Sequence, residues 1–128
     1  MKLLLDTHAV IWWFEGNTSL PQMARDAIAE SEADVFVSAA SAFEIATKYR
    51  IGKLPHARAL AEGFLALIDG QGFRALPISA RHAQNAGLLA FAHKDPFDRL
   101  LIAQAQVESL TLVSNERLFD SFGVSRLW

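Results

Sequence analysis

Four short apolar runs, each separated from the next by longer stretches of helical period, constrain this chain more than any other feature. They are "KLLLD", "DVFVS", "FRALPI" and "TLVS". Between them lie "AVIWWFEG", "SLPQMARDAIAES", "AASAFEIATKYRIG", "ARALAEGFLALIDG", "SARHAQNAGLLA" and "DPFDRLLIAQAQVES". Such alternation implies an α/β fold with a mainly parallel sheet. Gly16 and Gly52 close two of the helices. Ser19 and Ser79 read as N-caps, with Pro21 in the first turn after Ser19. Met23, Ala27 and Ile28 share one helical face, as do Leu60, Phe64, Leu67 and Ile68. A short helix, "NERLFDSF", and an edge strand, "VSRLW", complete a three-layer α/β/α arrangement of four or five strands, expected as one domain over residues 1–128.

A chain of 128 residues suits one domain and buries roughly two-thirds of its unfolded surface, so it needs no covalent staple. It has no cysteine, which excludes disulfides, thiolate zinc sites and cysteine nucleophiles and is compatible with a reducing cytosol. "MKLLLDTHAV" is interrupted by Asp6 and has no signal-peptide cleavage pattern, and no stretch approaches the ~20 apolar residues of a membrane span. The expectation is a cytoplasmic protein without a membrane partner. The net charge of -2, from 12 basic and 14 acidic residues, gives no global pull toward nucleic acid, so any such contact needs a local patch. Mean hydropathy is +0.18, which fits either an apolar surface covered by a second chain or a lean domain with short loops.

The acids fall at comparable places, just after a strand or in the first turns of the helix that follows one. Asp6 follows Leu3-Leu4-Leu5, at the strand edge where ligands of open α/β sheets gather. It, or Thr7, can also simply cap the next helix. Glu44 is either the far end of a capping box begun by Ser41 or, if Ser38 is the cap, a residue deeper in the helix, with Lys48 as an i,i+4 partner. Asp95 is explained as an N-cap before Pro96. Asp98 then stands at N3, where a negative charge suits the helix dipole. It also shares a face with Leu101, Ile102 and Ala105, and a carboxylate at the edge of such a face needs a partner or a metal. Glu116 follows the fourth strand and is either a first-turn acid or a ligand. Ser38 and Ser114 follow strands and are caps that can also orient a carboxylate or a water.

In a parallel sheet these positions converge. Crowded carboxylates raise one another's pKa, and a divalent cation offsets the repulsion. All-oxygen ligation suits Mg²⁺ or Mn²⁺, and the chemistry that uses it is phosphodiester hydrolysis. No P-loop, Gly-rich dinucleotide loop or Ser-His-Asp order competes. A haloacid-dehalogenase-type site wants a second aspartate where His8 stands, and a receiver-type site wants paired acids before the following helix. A non-catalytic binding module is the remaining alternative.

"LLLDTHAVIWW", "VSAASAFEIATKYRIGKL", "HKDPFDRLLIAQA" and "LTLVSNERLF" together resemble the PIN domain, specifically the VapC-type toxin of a bacterial toxin–antitoxin pair, over essentially the whole chain. The resemblance implies a Mg²⁺- or Mn²⁺-dependent endoribonuclease acting on RNA, usually a homodimer, silenced by a cognate VapB-type antitoxin. It places Asp6, Glu44 and Asp98 at the family's first three acids. It puts Glu116 where aspartate is commoner, and Ser114 where Thr or Ser stands beside the site. Asp95 matches a feature of a subset of these toxins and is the second choice for metal contact. Lys48, Arg50, Lys53 and Arg58, with Lys94 and Arg99 flanking the acids, are candidates for the RNA backbone or plain surface charges. His8 is a candidate for the scissile phosphate and Trp12 and Trp13 for base stacking, against helix-surface and core roles.

Overall fold

The computed structural model describes residues 1–90 and 95–128. The chain runs β1 (Lys2–Leu5), α1 (Thr7–Glu15), α2 (Gln22–Ala29), β2 (Asp34–Ser38), α3 (Ala39–Arg50), α4 (Arg58–Gly70), β3 (Arg74–Leu76), α5 (Ala80–Leu88), α6 (Pro96–Glu108), β4 (Thr111–Val113), a 3-10 helix (Arg117–Phe122) and β5 (Arg126–Leu127). The five strands form one sheet in the order β3-β2-β1-β4-β5, and every pairing is parallel. The chain therefore starts at the sheet centre, builds outward through β2 to β3, and returns to lay β4 on the other side of β1. The carboxyl ends of β1 and β4 flank the point where strand order reverses, the place where open α/β sheets form a crevice.

β1 is buried on both faces, which is why it reads as an unbroken leucine run. Leu3 and Leu5 point to one side, where they meet Val10, Ala24, Ile45, Leu60 and Ile68 from α1 to α4. Leu4 points to the other, against Leu101, Ile102 and Ala105 of α6 and Phe119. α5 lies over α6. The three-layer α/β/α arrangement expected from the sequence is present, with five strands, the larger of the two numbers expected. No helix among the described residues is long and apolar enough to cross a membrane.

Several local expectations need correction. Ser19 does not cap α2: Pro21 is the N-cap and makes no side-chain bond, while the Ser19 N–H donates to Asn17 Oδ1 at 2.9 Å. Met23 is 52% exposed and Ala24 takes the inward place beside Ile28. "KLLLD" ends as a strand at Leu5, because Asp6 is already the N-cap of α1. "FRALPI" contributes only three residues to the sheet, and "NERLFDSF" winds as a 3-10 helix.

Candidate active site

The helix caps place most of the acids. The Asp6 carboxylate accepts the Ala9 N–H at 2.8 Å and starts α1 directly beyond β1. Ser38 starts α3, its Oγ accepting from the Ala40 N–H at 3.0 Å. The Ser41–Glu44 capping box therefore does not form, and Glu44 sits nearly two turns into the helix. Asp95 caps α6, its Oδ1 accepting from the N–H groups of Phe97 at 2.9 Å and Asp98 at 3.4 Å, with Pro96 at N1. Asp98 is then N3, half-buried. Ser114, fully buried, accepts the Glu116 N–H on its Oγ at 3.0 Å. Glu116 caps the 3-10 helix by accepting the Leu118 N–H at 3.2 Å.

Asp6, Glu44, Asp95, Asp98 and Glu116 all line one cleft of about 410 Å³ at the carboxyl edge of the sheet. Lys48 and Asn115 add polar groups, Leu101 and Phe119 an apolar wall, and His8 and Trp12 an aromatic one. Asp6 is buried, and that burial raises its pKa; hydrogen bonds from Ser114 and the Ala9 N–H and the nearby His8 oppose the rise, while the Asp98 charge adds to it. Ser114 thus links Asp6 to the backbone of Glu116.

Glu44 is held on both oxygens. Thr7 Oγ1 donates to Oε1 at 2.7 Å and Lys48 Nζ to Oε2 at 2.7 Å. The single Thr7 proton is committed to Glu44, so the 3.0 Å contact between Thr7 and Ser41 is donated by Ser41. Thr7 and Ser41 are buried, and this hydroxyl chain fixes α1 against α3. In the sequence Thr7 reads only as a possible cap. Its partner lies 37 residues away, so no local pattern could have revealed the bond.

The basic candidates are not gathered in the same way. Lys48 lines the cleft, paired to Glu44. Arg50 and Lys53 are exposed and do not line it. Arg58 pairs with Glu62 at 3.1 Å along α4. Arg99, expected to flank the acids, is directed to the end of α5: its Nε donates to Ala86 O at 2.9 Å and its Nη2 to Gly87 O at 3.2 Å and Leu89 O at 2.8 Å. Lys94 lies outside the described residues. Of the tryptophans, Trp13 is taken up structurally, its indole N–H donating to Gln71 Oε1 at 3.1 Å and its ring packing on Phe73.

Among the described residues no three acidic or imidazole side chains stand close enough to hold a metal ion by themselves. Mg²⁺ keeps several of its waters and is bound through one or two carboxylates together with substrate phosphates. The donor set lining the cleft is rich in carboxylate oxygens, the kind that suits Mg²⁺ or Mn²⁺. The residues present fit such an ion.

A family model described as PIN domain matches residues 3–124. Several solved structures share the fold. The structure of VapBC2 from Rickettsia felis, bound to a DNA fragment from their promoter, superposes with a TM-score of 0.72 at 16% identity, covering 99% of this chain and 98% of that one. VapBC-1 from nontypeable Haemophilus influenzae gives 0.69 at 13%, covering 99% and 97%. FitAcB from Neisseria gonorrhoeae gives 0.67 at 20%, covering 98% and 96%. No curated protein sequence matches the chain.

Proposed function

The chain belongs to the PIN domain family, and from that membership we propose that residues 1–128 act as a single nuclease domain, the toxin of a toxin–antitoxin pair, hydrolysing RNA phosphodiester bonds with Mg²⁺ or Mn²⁺. PIN domains are in general nucleases that use divalent metal ions. The observation that carries the reading is the convergence of five carboxylates on one cleft at the strand-order reversal. The toxin role is supported by the fold shared with chains solved as VapBC and FitAB complexes. From that likeness the proposed partner is a VapB-type antitoxin; a second copy of the chain as partner and a cytoplasmic location are carried over from the sequence resemblance alone.

Asp6, Asp98 and Glu44 would hold the metal, in part through its waters, with Asp95 as a further contact and Glu116 acting through water. A divalent cation bound there supplies a counter-charge for the scissile phosphate and lowers the pKa of the attacking water. Thr7 and Lys48 fix Glu44 in direction. Ser114 fixes Asp6. Asp95 caps the turn that presents Asp98, so the two aspartates of α6 divide between holding the helix start and holding charge in the cleft. Lys48 at the cleft is paired with Glu44, so positive charge for the RNA backbone is left to Arg50 and Lys53, exposed outside the cleft.

The test is cleavage of a labelled RNA by the wild-type protein and by Asp98→Asn. Cleavage is expected in Mg²⁺ or Mn²⁺, is abolished by EDTA, and falls by about 100-fold or more in the variant. That is at or beyond the roughly 10- to 100-fold loss seen when a mere outer partner of a metal ligand is removed. An Asp98→Asn protein that cleaves at the wild-type rate in Mg²⁺ sinks the assignment. A folded protein that neither binds Mg²⁺ in calorimetry nor cleaves RNA is a binding module instead.

A further inference from the structure

Among the described residues, the cleft is poorly equipped to hold a nucleic-acid strand by charge. Its walls carry five carboxylates, and the lysine among them, Lys48, is bonded to Glu44 at 2.7 Å. Arg99 is engaged with backbone carbonyls of the α5 end and Arg58 with Glu62. Phosphate contacts normally supply most of the affinity for nucleic acid, so an attraction that does not depend on charge is needed beside the acids.

One wall of the same cleft is aromatic. His8 and Trp12 stand at i and i+4 on α1, on one face of the helix that Asp6 begins. Both line the cleft. Their ring centroids are 5.4 Å apart at an interplanar angle of 33°. Trp128 packs on Trp12 at 5.8 Å and 51°, restricting the rotamers open to the indole. Trp13, one residue on, is hydrogen-bonded and stacked within the fold. Trp12 has no such anchor for its N–H among the described residues. His8 is exposed.

We propose that His8 and Trp12 form a stacking wall for one unpaired nucleobase next to the carboxylate cleft. The inference rests on the nuclease reading and adds to it the side chains that hold a base. A nucleobase sits one ribose from its phosphate, so a phosphate at Asp6 and Asp98 carries its base to the adjoining wall. Every base has a π-face, so the wall takes any sequence. A base within a duplex shows its faces only to its neighbours in the stack, so the wall selects single strands, loops and bulges.

Binding of two probes separates this from a purely structural role for the rings. One is a fluorescent oligoadenylate of about eight ribonucleotides, within the usual span of a single-strand site, and the other is the same sugar-phosphate strand without bases. Both are measured by anisotropy with Ca²⁺ in place of Mg²⁺, and gels confirm intact strands. The wild-type protein is expected to prefer the base-bearing strand. Trp12→Ala is expected to weaken that strand by roughly 5- to 150-fold, the range for loss of one stacking side chain, to leave the abasic strand within about twofold, and Trp12→Phe to restore most of the affinity. If Trp12→Ala proves unfolded by circular dichroism, His8→Ala at the exposed position carries the same comparison. Equal binding of both strands by the wild-type protein, or equal weakening of both by the variant, overturns the stacking wall alone. A wild-type protein that binds neither strand overturns the nuclease reading with it.

Discussion

Asp6 shows how a functional reading can be told from a structural one at a single residue. As a cap it needs only an acceptor oxygen, and an asparagine supplies that equally well. Its charge is a different matter, because burial raises the pKa and the Asp98 charge adds to the rise. The folded state therefore holds the Asp6 proton more tightly than the unfolded chain does. In metal-free protein, the contribution of this group to stability is greatest below the ordinary carboxylate range and falls as pH rises through the folded pKa. Asp6→Asn removes the buried charge and keeps the Ala9 bond. In EDTA the variant is expected to melt above the wild type at neutral pH, with the gap closing as pH falls toward about 4, where a normal carboxylate takes up its proton. Thermal melts followed by circular dichroism check this. Equal melting temperatures at neutral pH would show that the charge carries no cost. A carboxylate that weakens the fold it caps is one kept for what it binds.

At the scale of elements, what could be read in advance was what local chemistry decides. Ser38, Ser79 and Asp95 start helices because a short polar side chain answers an N–H two or three residues on. β1, β2 and β4 were visible because a strand covered on both faces reads as an apolar run. Placing Asp6, Glu44, Asp95, Asp98 and Glu116 at one edge followed from parallel topology, since every strand end then points the same way. What escaped depends on partners distant in sequence. Thr7 meets Glu44 only once α1 and α3 are packed. Met23 and Ala24 exchange roles because the facing surface, not the period, sets which of two adjacent apolar residues turns inward. Arg99 looked like a charge beside the acids, yet its guanidinium answers the last carbonyls of α5, left without partners where the helix ends. Arg99→Met is therefore expected to cost stability, by about 1.5–3 kcal/mol for lost bonds to a charged group. RNA affinity per folded molecule should remain at the wild-type level. Urea unfolding together with anisotropy checks both. A variant of unchanged stability and weakened RNA binding would return Arg99 to the substrate.

At the scale of the whole molecule, β1 holds the two layers and the cleft together. It is the middle strand, bonded to β2 on one side and β4 on the other. It carries Asp6 at its end, and its leucines reach both cores: Leu3 and Leu5 the α1–α4 side, Leu4 the α6 side. A change on either face is thus felt through the strand that positions the acid. Leu4→Ala empties a site with no exposure and is expected to cost about 2–5 kcal/mol, the range for a buried leucine whose cavity cannot collapse. Leu5→Ala, on the other face, should cost a similar amount. Leu65→Ala, at a position 68% exposed on α4, should stay within about 0.5 kcal/mol. If the layers unfold as one unit, urea curves for both core variants shift in midpoint with the slope of the wild type, and far-ultraviolet and tryptophan signals coincide. Trp12, Trp13 and Trp128 all pack on the α1–α4 side, so tryptophan fluorescence reports that core alone. A Leu4→Ala protein whose fluorescence transition stays at the wild-type midpoint while its ellipticity moves would show that the α6 layer, which carries Asp98, melts separately. In that case the carboxylates of the cleft would belong to two cooperative units, and metal binding would have to join them.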